Sequence, residues 1–277
     1  MYFVYLDPVN AELYRYMTIT QVQMDVRWND VRANQETASR LIDSQPGSDL
    51  YILPEMWATG YMVKVDEMHS DSALPLGWMK RKACETNAAI CGSLAVRVQD
   101  GSYRNRLYFV TPDDVWYYDK RHLFGYGGED RQYTAGEERT VVTWRGVRFL
   151  LQICYDLRFP CFARNHIMET GGMETAEYDA AIYVASWPES RRHVWDILLQ
   201  ARAMENQCYV LGVNRVGQDP VCAYNGGTMS VDAYGRVVAS MADGTMGTVT
   251  SVLDMEGLDR FRQKFPVLYD AKKDCRR

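Results

Sequence analysis

Cys154 ends the apolar run VRFLLQI and is followed at once by the charged turn YDLR, so its sulfur stands where a strand opens toward a pocket. A strand end that leads into a helix start brings a thiol close to unpaired backbone N–H groups and favours the thiolate, the form that attacks carbonyl carbon. A cysteine after an apolar run can equally be core filler, and residue type alone leaves both readings open. A free thiol has a pKa of about 8.5, so a nucleophilic cysteine needs a base within hydrogen-bond reach.

Two residues could be that base. Glu55 follows LYILP and would be partly withdrawn from water there, as a proton-shuttling carboxylate must be; otherwise it is a solvated loop residue. His122 would complete the Cys/His pair common among thiol hydrolases; the reading preferred here is that it orients a neighbour or is an ordinary hydrogen-bonded histidine. Attack on an amide carbonyl places negative charge on oxygen, which calls for a cation or oriented N–H donors. Lys120, just after VWYYD, can supply the cation unless it is an ordinary surface lysine. Glu55, Lys120 and Cys154 are 65 and 34 positions apart, so only tertiary structure can join them.

The elements that must do so are legible from periodicity. Met17 opens TITQVQMDV, where Val22, Met24 and Val26 alternate as in a strand. Asn29 and Asp30 can cap a helix with Val31, Ala38, Leu41 and Ile42 on one face, and Leu50 to Leu53 is an apolar run buried on both sides and stopped by Pro54. A helix over 75–87 leads into an antiparallel meander, AAICGSLAVRV, RNRLYFVT and VWYYD. The hairpin TVVTW and VRFLLQI follows, then DAAIYVAS, a helix around VWDILLQARAMEN, CYVLGVN, a hairpin in GTMSVDAYGRVVAS and a closing helix EGLDRFRQKF. Strands that alternate with helices and mix with hairpins imply an α/β fold of stacked, partly parallel sheets covered by helices, with sites beyond the carboxyl ends of strands. Glu55, Lys120 and Cys154 hold such positions.

Composition narrows the task. The 277 residues are 47% hydrophobic and 24% charged, an ordinary globular balance, with no linker or repeat. The expected organisation is an N-terminal extension (1–16), a single domain (17–270) and a tail (271–277), with Met17 as an alternative start. A net charge of −5 argues against nucleic acid as a partner. No apolar run approaches the ~20 residues of a membrane span, and the N-terminus lacks a basic signal-peptide region. Seven cysteines without C-x-x-C fit a reducing cytoplasm, and with His69, His166 and His193 they form no metal-type spacing. Gly125 to Gly128 is no dinucleotide fingerprint and reads as a mobile loop.

LPEMWATGY, YDKRHLF and ICYDLRFP resemble, in order and approximate spacing, the glutamate, lysine and cysteine motifs of the nitrilase (carbon-nitrogen hydrolase) superfamily. The likeness runs from about Thr18 to Pro266, and with ASWPESR, ARAMENQCYV and NRVG it is most similar to the bacterial omega-amidases, the 2-oxoglutaramate amidases. The resemblance implies a four-layer αββα sandwich of two mixed sheets, pairing through helices into a homodimer. It implies Glu55 as general base, Lys120 as oxyanion stabiliser, Cys154 as nucleophile, the Tyr155 N–H as a further oxyanion donor and Glu129 as a second glutamate beside the lysine. It implies no cofactor and small amide substrates, 2-oxoglutaramate and 2-oxosuccinamate, opened through a thioester to the 2-oxo dicarboxylic acid and ammonia.

A substrate carboxylate calls for a guanidinium fork, which Arg158, Arg191 or Arg192 could provide; Arg158 can instead pair with Asp156. Trp187 is pocket wall or core. The chain departs from the pattern in its N-terminal extension and in the long segment 169–179, which bears on oligomer contacts and the pocket rim. Other readings are a different amide or nitrile hydrolase of the superfamily, a binding module with a retired site, and a thiol peroxidase.

Overall fold

Leu50 and Ile52 face one way and Tyr51 and Leu53 the other, and all four are buried, so this short strand packs against apolar layers on both sides. The same period-2 sorting divides other strands, such as Val147–Ile153 and Ala180–Ala185, between two cores. In the computed structural model, residues 15–61 and 73–272 are described. Positions 1–14 of the expected extension, His69, and residues 273–277 of the expected tail with Cys275 lie outside the described residues.

The strands are β1 (Tyr16–Gln23), β2 (Leu50–Ile52), β3 (Ala89–Arg97), β4 (Tyr103–Val110), β5 (Val115–Asp119), β6 (Val141–Trp144), β7 (Val147–Ile153) and β8 (Ile167–Thr170). They continue as β9 (Met173–Ala176), β10 (Ala180–Ala185), β11 (Tyr209–Asn214), β12 (Val216–Gln218), β13 (Ala223–Asn225), β14 (Met229–Val231), β15 (Val237–Ser240) and β16 (Gly247–Asp254). The helices are α1 (Val31–Asp43), α2 (Ala73–Thr86), α3 (Pro160–Ala163), α4 (Arg192–Asn206), α5 (Met255–Lys264) and α6 (Val267–Ala271).

One six-stranded sheet has the order β16-β1-β2-β3-β4-β5 and the other β15-β14-β11-β10-β7-β6. In each, three neighbouring strands are parallel, β1-β2-β3 and β7-β10-β11, and the remaining pairs are antiparallel. Ile19, Leu50, Ile52 and Phe109 of the first sheet meet Phe149, Leu151, Ile182 and Leu211 of the second in a central core. A second core joins Val22, Tyr51, Leu53 and Ile90 to Ala38 and Ile42 of α1 and to Trp78 and Met79 of α2. A third joins Leu150, Ala181 and Val210 to Trp195, Leu199 and Ala203 of α4. Three cores between four layers make the αββα sandwich that the motifs implied. Each large apolar side chain buried in these seams contributes about 1.5–3 kcal/mol before the entropy cost of ordering it.

Local signals behave as the sequence foretells at most element ends. Asp30 caps α1 by accepting the Ala33 N–H at 3.1 Å. The segment 169–179 forms the hairpin β8-β9, whose Gly171 and Gly172 both take positive φ (61° and 80°), as a two-residue hairpin loop requires. That hairpin reaches the C-terminal helix, where the Tyr269 hydroxyl donates to the Glu174 carbonyl at 3.1 Å, and it contributes no described residue to the cavity considered next.

Topology gathers strand ends. β4 runs against β3, and β5 against β4, so β5 finishes at the same sheet edge as β2 and β3. Residues just past β2 and β5 thus share that edge with the beginning of β4, and β7 and β10 of the facing sheet end opposite them.

Candidate active site

Glu55 lies three residues past β2, where Leu53 still bonds across to β3 through its N–H and the Cys91 carbonyl at 2.7 Å. Lys120 follows β5 directly and is tied to β4 by its N–H, which donates to the Asn105 carbonyl at 2.9 Å. Glu129 comes from the Gly-rich stretch, which forms two consecutive 3-10 turns separated by Gly128 at φ 80°. The GYGG segment thus serves as a shaped turn that aims Glu129 inward. All three side chains are at most 1% exposed.

The Lys120 ammonium donates to Glu55 Oε1 at 2.9 Å and to Glu129 Oε1 and Oε2 at 3.1 and 2.9 Å. Asn105 Nδ2 bridges the same carboxylates, at 2.8 Å from Glu55 Oε1 and 3.0 Å from Glu129 Oε1. Glu129 Oε2 also accepts the Phe124 N–H at 2.6 Å, and Glu55 Oε2 accepts the Ser186 N–H at 2.8 Å. Buried charges persist only when paired and hydrogen-bonded, and here every carboxylate oxygen has a donor. Burial opposes the Lys120 charge, but Glu129 and Glu55 outweigh it and hold the ammonium pKa well above its usual value.

Cys154 begins a 3-10 turn, Cys154–Arg158, and has φ 45°, a left-handed conformation uncommon for a side-chain-bearing residue. That bend turns the thiol out of β7 into the cavity, within electrostatic reach of Glu55, Lys120 and Glu129. The expectation of a thiolate stabilised by a helix start is not met. The element is a single turn followed by the four-residue α3, too little aligned backbone for a useful dipole. Burial first, then the charge of Glu55, pushes the thiol pKa well above normal, with Lys120 pulling the other way. The resting sulfur is therefore protonated, with its proton facing a carboxylate.

Both lysine and cysteine line a cavity of about 350 Å³, at the small end of ligand sites. Tyr155 lines it too, in the first turn after Cys154, where backbone N–H groups have no intrahelical acceptor. Arg158 and Arg191 reach the same space, Arg158 with its guanidinium 5.0 Å from the Trp187 ring and Arg191 5.3 Å from the Phe124 ring. Trp187 is both wall and core, 3% exposed and packed on Trp195.

Arg158 does not take the Asp156 carboxylate, which instead accepts from the Tyr118 hydroxyl (2.8 Å), the His122 N–H (2.9 Å) and the Ile153 N–H (3.0 Å). Arg192 is outside the cavity, paired with Asp196 and Asp243 at 2.8 Å each. His122 is outside it as well: its Nδ1 sits 2.8 Å from Asp156 Oδ1 and its ring stacks on Phe159 at 3.8 Å. The structure thus places the imidazole on Asp156 and away from Cys154.

Sequence reasoning missed Asn105 and Ser186. Asn105 was findable, because Leu107 and Phe109 of the same strand face the central core and Asn105 is the polar residue next in that row. Ser186 follows the apolar strand DAAIYVA, a fourth strand end.

Residues 18–263 match the family model for carbon-nitrogen hydrolases. Across 259 residues, 93% of this chain and 97% of the relative, the sequence is 39% identical to an omega-amidase, YafV, of Yersinia enterocolitica. It is 32% identical over 263 residues to a 2-oxoglutaramate amidase of Bacillus subtilis (strain 168), covering 93% of this chain and 98% of that one. Among solved structures, a CN-hydrolase superfamily protein from Xanthomonas campestris with an arsenic adduct in its active site superimposes with a TM-score of 0.86 at 37% identity, over 92% of this chain and 97% of the other. With its sandwich, its convergent strand ends and this full-length similarity, the chain belongs to the carbon-nitrogen hydrolase family.

Proposed function

We propose that this chain is a cysteine-dependent omega-amidase that hydrolyses the terminal amide of 2-oxoglutaramate or 2-oxosuccinamate to the 2-oxo dicarboxylic acid and ammonia. The observation that carries the reading is that Cys154 and Lys120, the latter bonded to the buried Glu55, line a small cavity that also holds two guanidinium groups, Arg158 and Arg191. A cavity that presents two guanidinium groups suits an amide that bears a carboxylate, and the named relatives supply the substrate class.

Glu55 takes the Cys154 proton as sulfur bonds to the amide carbon; because the resting thiol holds its proton tightly, transfer and attack are coupled. The oxyanion is stabilised by the Lys120 charge and the Tyr155 N–H. Collapse breaks the C–N bond, Glu55 returns the proton to nitrogen and ammonia leaves. Water, deprotonated by Glu55, then opens the thioester. Glu129 and Asn105 hold Lys120 and Glu55 in register through the contacts given above.

A homodimer paired through outer helices goes with this reading, and the exposed Ile197 and Met204 on α4 support it; sedimentation of the wild type and of Ile197→Glu tests it. A cytoplasmic location is proposed with it. No helix among the described residues is long and apolar enough to cross a membrane. The deciding assay is ammonia release from 2-oxoglutaramate, 2-oxosuccinamate and a panel of other amides and nitriles, by wild type and Cys154→Ala. Release by wild type alone supports the proposal; equal rates in both proteins, or preference for an unrelated amide, defeats it.

A further inference from the structure

Tyr61 closes the segment LPEMWATGY and lines the cavity beside Cys154 and Lys120, with the Lys120 Nζ 5.7 Å from its ring centroid. Its hydroxyl oxygen is buried and has no hydrogen-bond partner among the described residues. A buried, unpaired hydroxyl is costly to keep, and such groups in native proteins call for a specific explanation. The ring packs at the edge of a small cluster of Met56, Ala95 and Tyr133, which holds the phenol against the cavity wall.

The donors that surround Glu55 and Glu129 are committed to those carboxylates. An ammonium carries three N–H groups, and that of Lys120 faces three carboxylate oxygens at 2.9, 3.1 and 2.9 Å. Asn105 Nδ2 is divided between Glu55 and Glu129, and the Ser186 N–H is spent on Glu55. The phenol keeps its proton throughout the physiological range, because burial and then the charge of Glu129 hold its pKa well above normal. It is thus a neutral donor with nothing to give up when a ligand arrives, the form of preorganisation that stabilises developing charge best.

We propose that the Tyr61 hydroxyl is a further catalytic residue, donating its hydrogen bond to the carbonyl oxygen of the bound amide and to the oxyanion that forms there. The inference rests on the thiol-amidase reading above. As Cys154 Sγ bonds to the carbonyl carbon, the C=O π pair moves onto oxygen and the thiol proton passes to Glu55. Tyr61 keeps its proton and tightens its hydrogen bond. When the C–N bond breaks, the pair returns to the carbonyl and the nitrogen takes the proton from Glu55.

The test is Tyr61→Phe, which removes one oxygen and preserves the ring. Ammonia release from 2-oxoglutaramate is measured for kcat and KM, with thermal unfolding in parallel. The expected result is a kcat lowered about 100-fold with KM changed by no more than about threefold, as for loss of an interaction made in the transition state. The expected Tm is equal to or above that of wild type, since no internal hydrogen bond is lost. An unchanged kcat, a change confined to KM, or a loss of activity accompanied by a lower Tm overturns the proposal. If wild type leaves 2-oxoglutaramate intact, the substrate assignment fails and the same comparison is made on the amide of the panel that it does cleave. Failure to cleave any amide overturns both.

Discussion

The backbone N–H of Ser186 donates to Glu55 Oε2 at 2.8 Å, across 131 positions of sequence and from the end of one sheet to the end of the other. The carboxylate facing Cys154 is therefore held by both halves of the sandwich, with Asn105 and Lys120 on its other oxygen. Its place depends on the central core that fixes the spacing of the sheets.

Replacing Glu55 by Gln keeps the side chain's shape and removes its capacity to accept a proton. Ammonia release should fall by about 10²- to 10⁴-fold. His122→Ala should leave kcat within about threefold and lower the Tm, because the buried Asp156 loses its partly buried imidazole partner. A loss in His122→Ala as deep as in Glu55→Gln would transfer the base role to the histidine.

The Cys154 thiol can be followed by iodoacetamide. Burial and the carboxylates keep it protonated, so alkylation should stay slow between about pH 7 and 9, where an ordinary thiol ionises. Glu129→Gln removes a negative charge from the cluster, so the thiol pKa should drop and alkylation at pH 8 should accelerate. Slower alkylation in that variant would contradict the charge balance described here.

Arg158→Met keeps the aliphatic stem over Trp187 and deletes the charge. For 2-oxoglutaramate, KM should rise by about 10- to 100-fold, the worth of a charge-assisted hydrogen bond. An uncharged aliphatic amide should show no comparable change. Equal effects on both would mean that the residue shapes the wall and does not read the carboxylate.

Asp179 tests stability apart from activity. It is 3% exposed and pairs with Arg262 at 2.8 Å and Arg148 at 2.6 Å. Burial would raise its pKa, but Arg148 and Arg262 prevail and hold the carboxyl below its usual value. Its contribution is thus present above the unfolded pKa of about 3.9 and is lost as pH falls through the lower folded value. Asp179→Asn should cost about 3–5 kcal/mol in urea unfolding at pH 7 and leave the difference from wild type smaller at pH 3. A pH-independent difference would show that packing, and not charge, is what the substitution disturbs.

Much of this arrangement is local and can be read along the chain. The apolar runs ending at Leu53 and Ile153, the Asp30 cap and the closing helix are products of side-chain periodicity and backbone preference, which act over a few residues. The three reactive residue types and their positions past strand ends belong to the same level, as do the motifs that tie the chain to its family.

Partnership is decided elsewhere. Whether Lys120 meets Glu129 or solvent, whether His122 serves Cys154 or Asp156, and whether Arg158 faces the cavity or a neighbour depend on how two sheets stack and where a glycine-bent loop turns. The protonation of Cys154 is the plainest case. A thiol at a strand end reads as activated when only its own turn is considered, yet two carboxylates from positions 55 and 129 lie close to it in the folded chain. Coulomb energy depends on distance in space and on exclusion of water, and neither is written at position 154 alone.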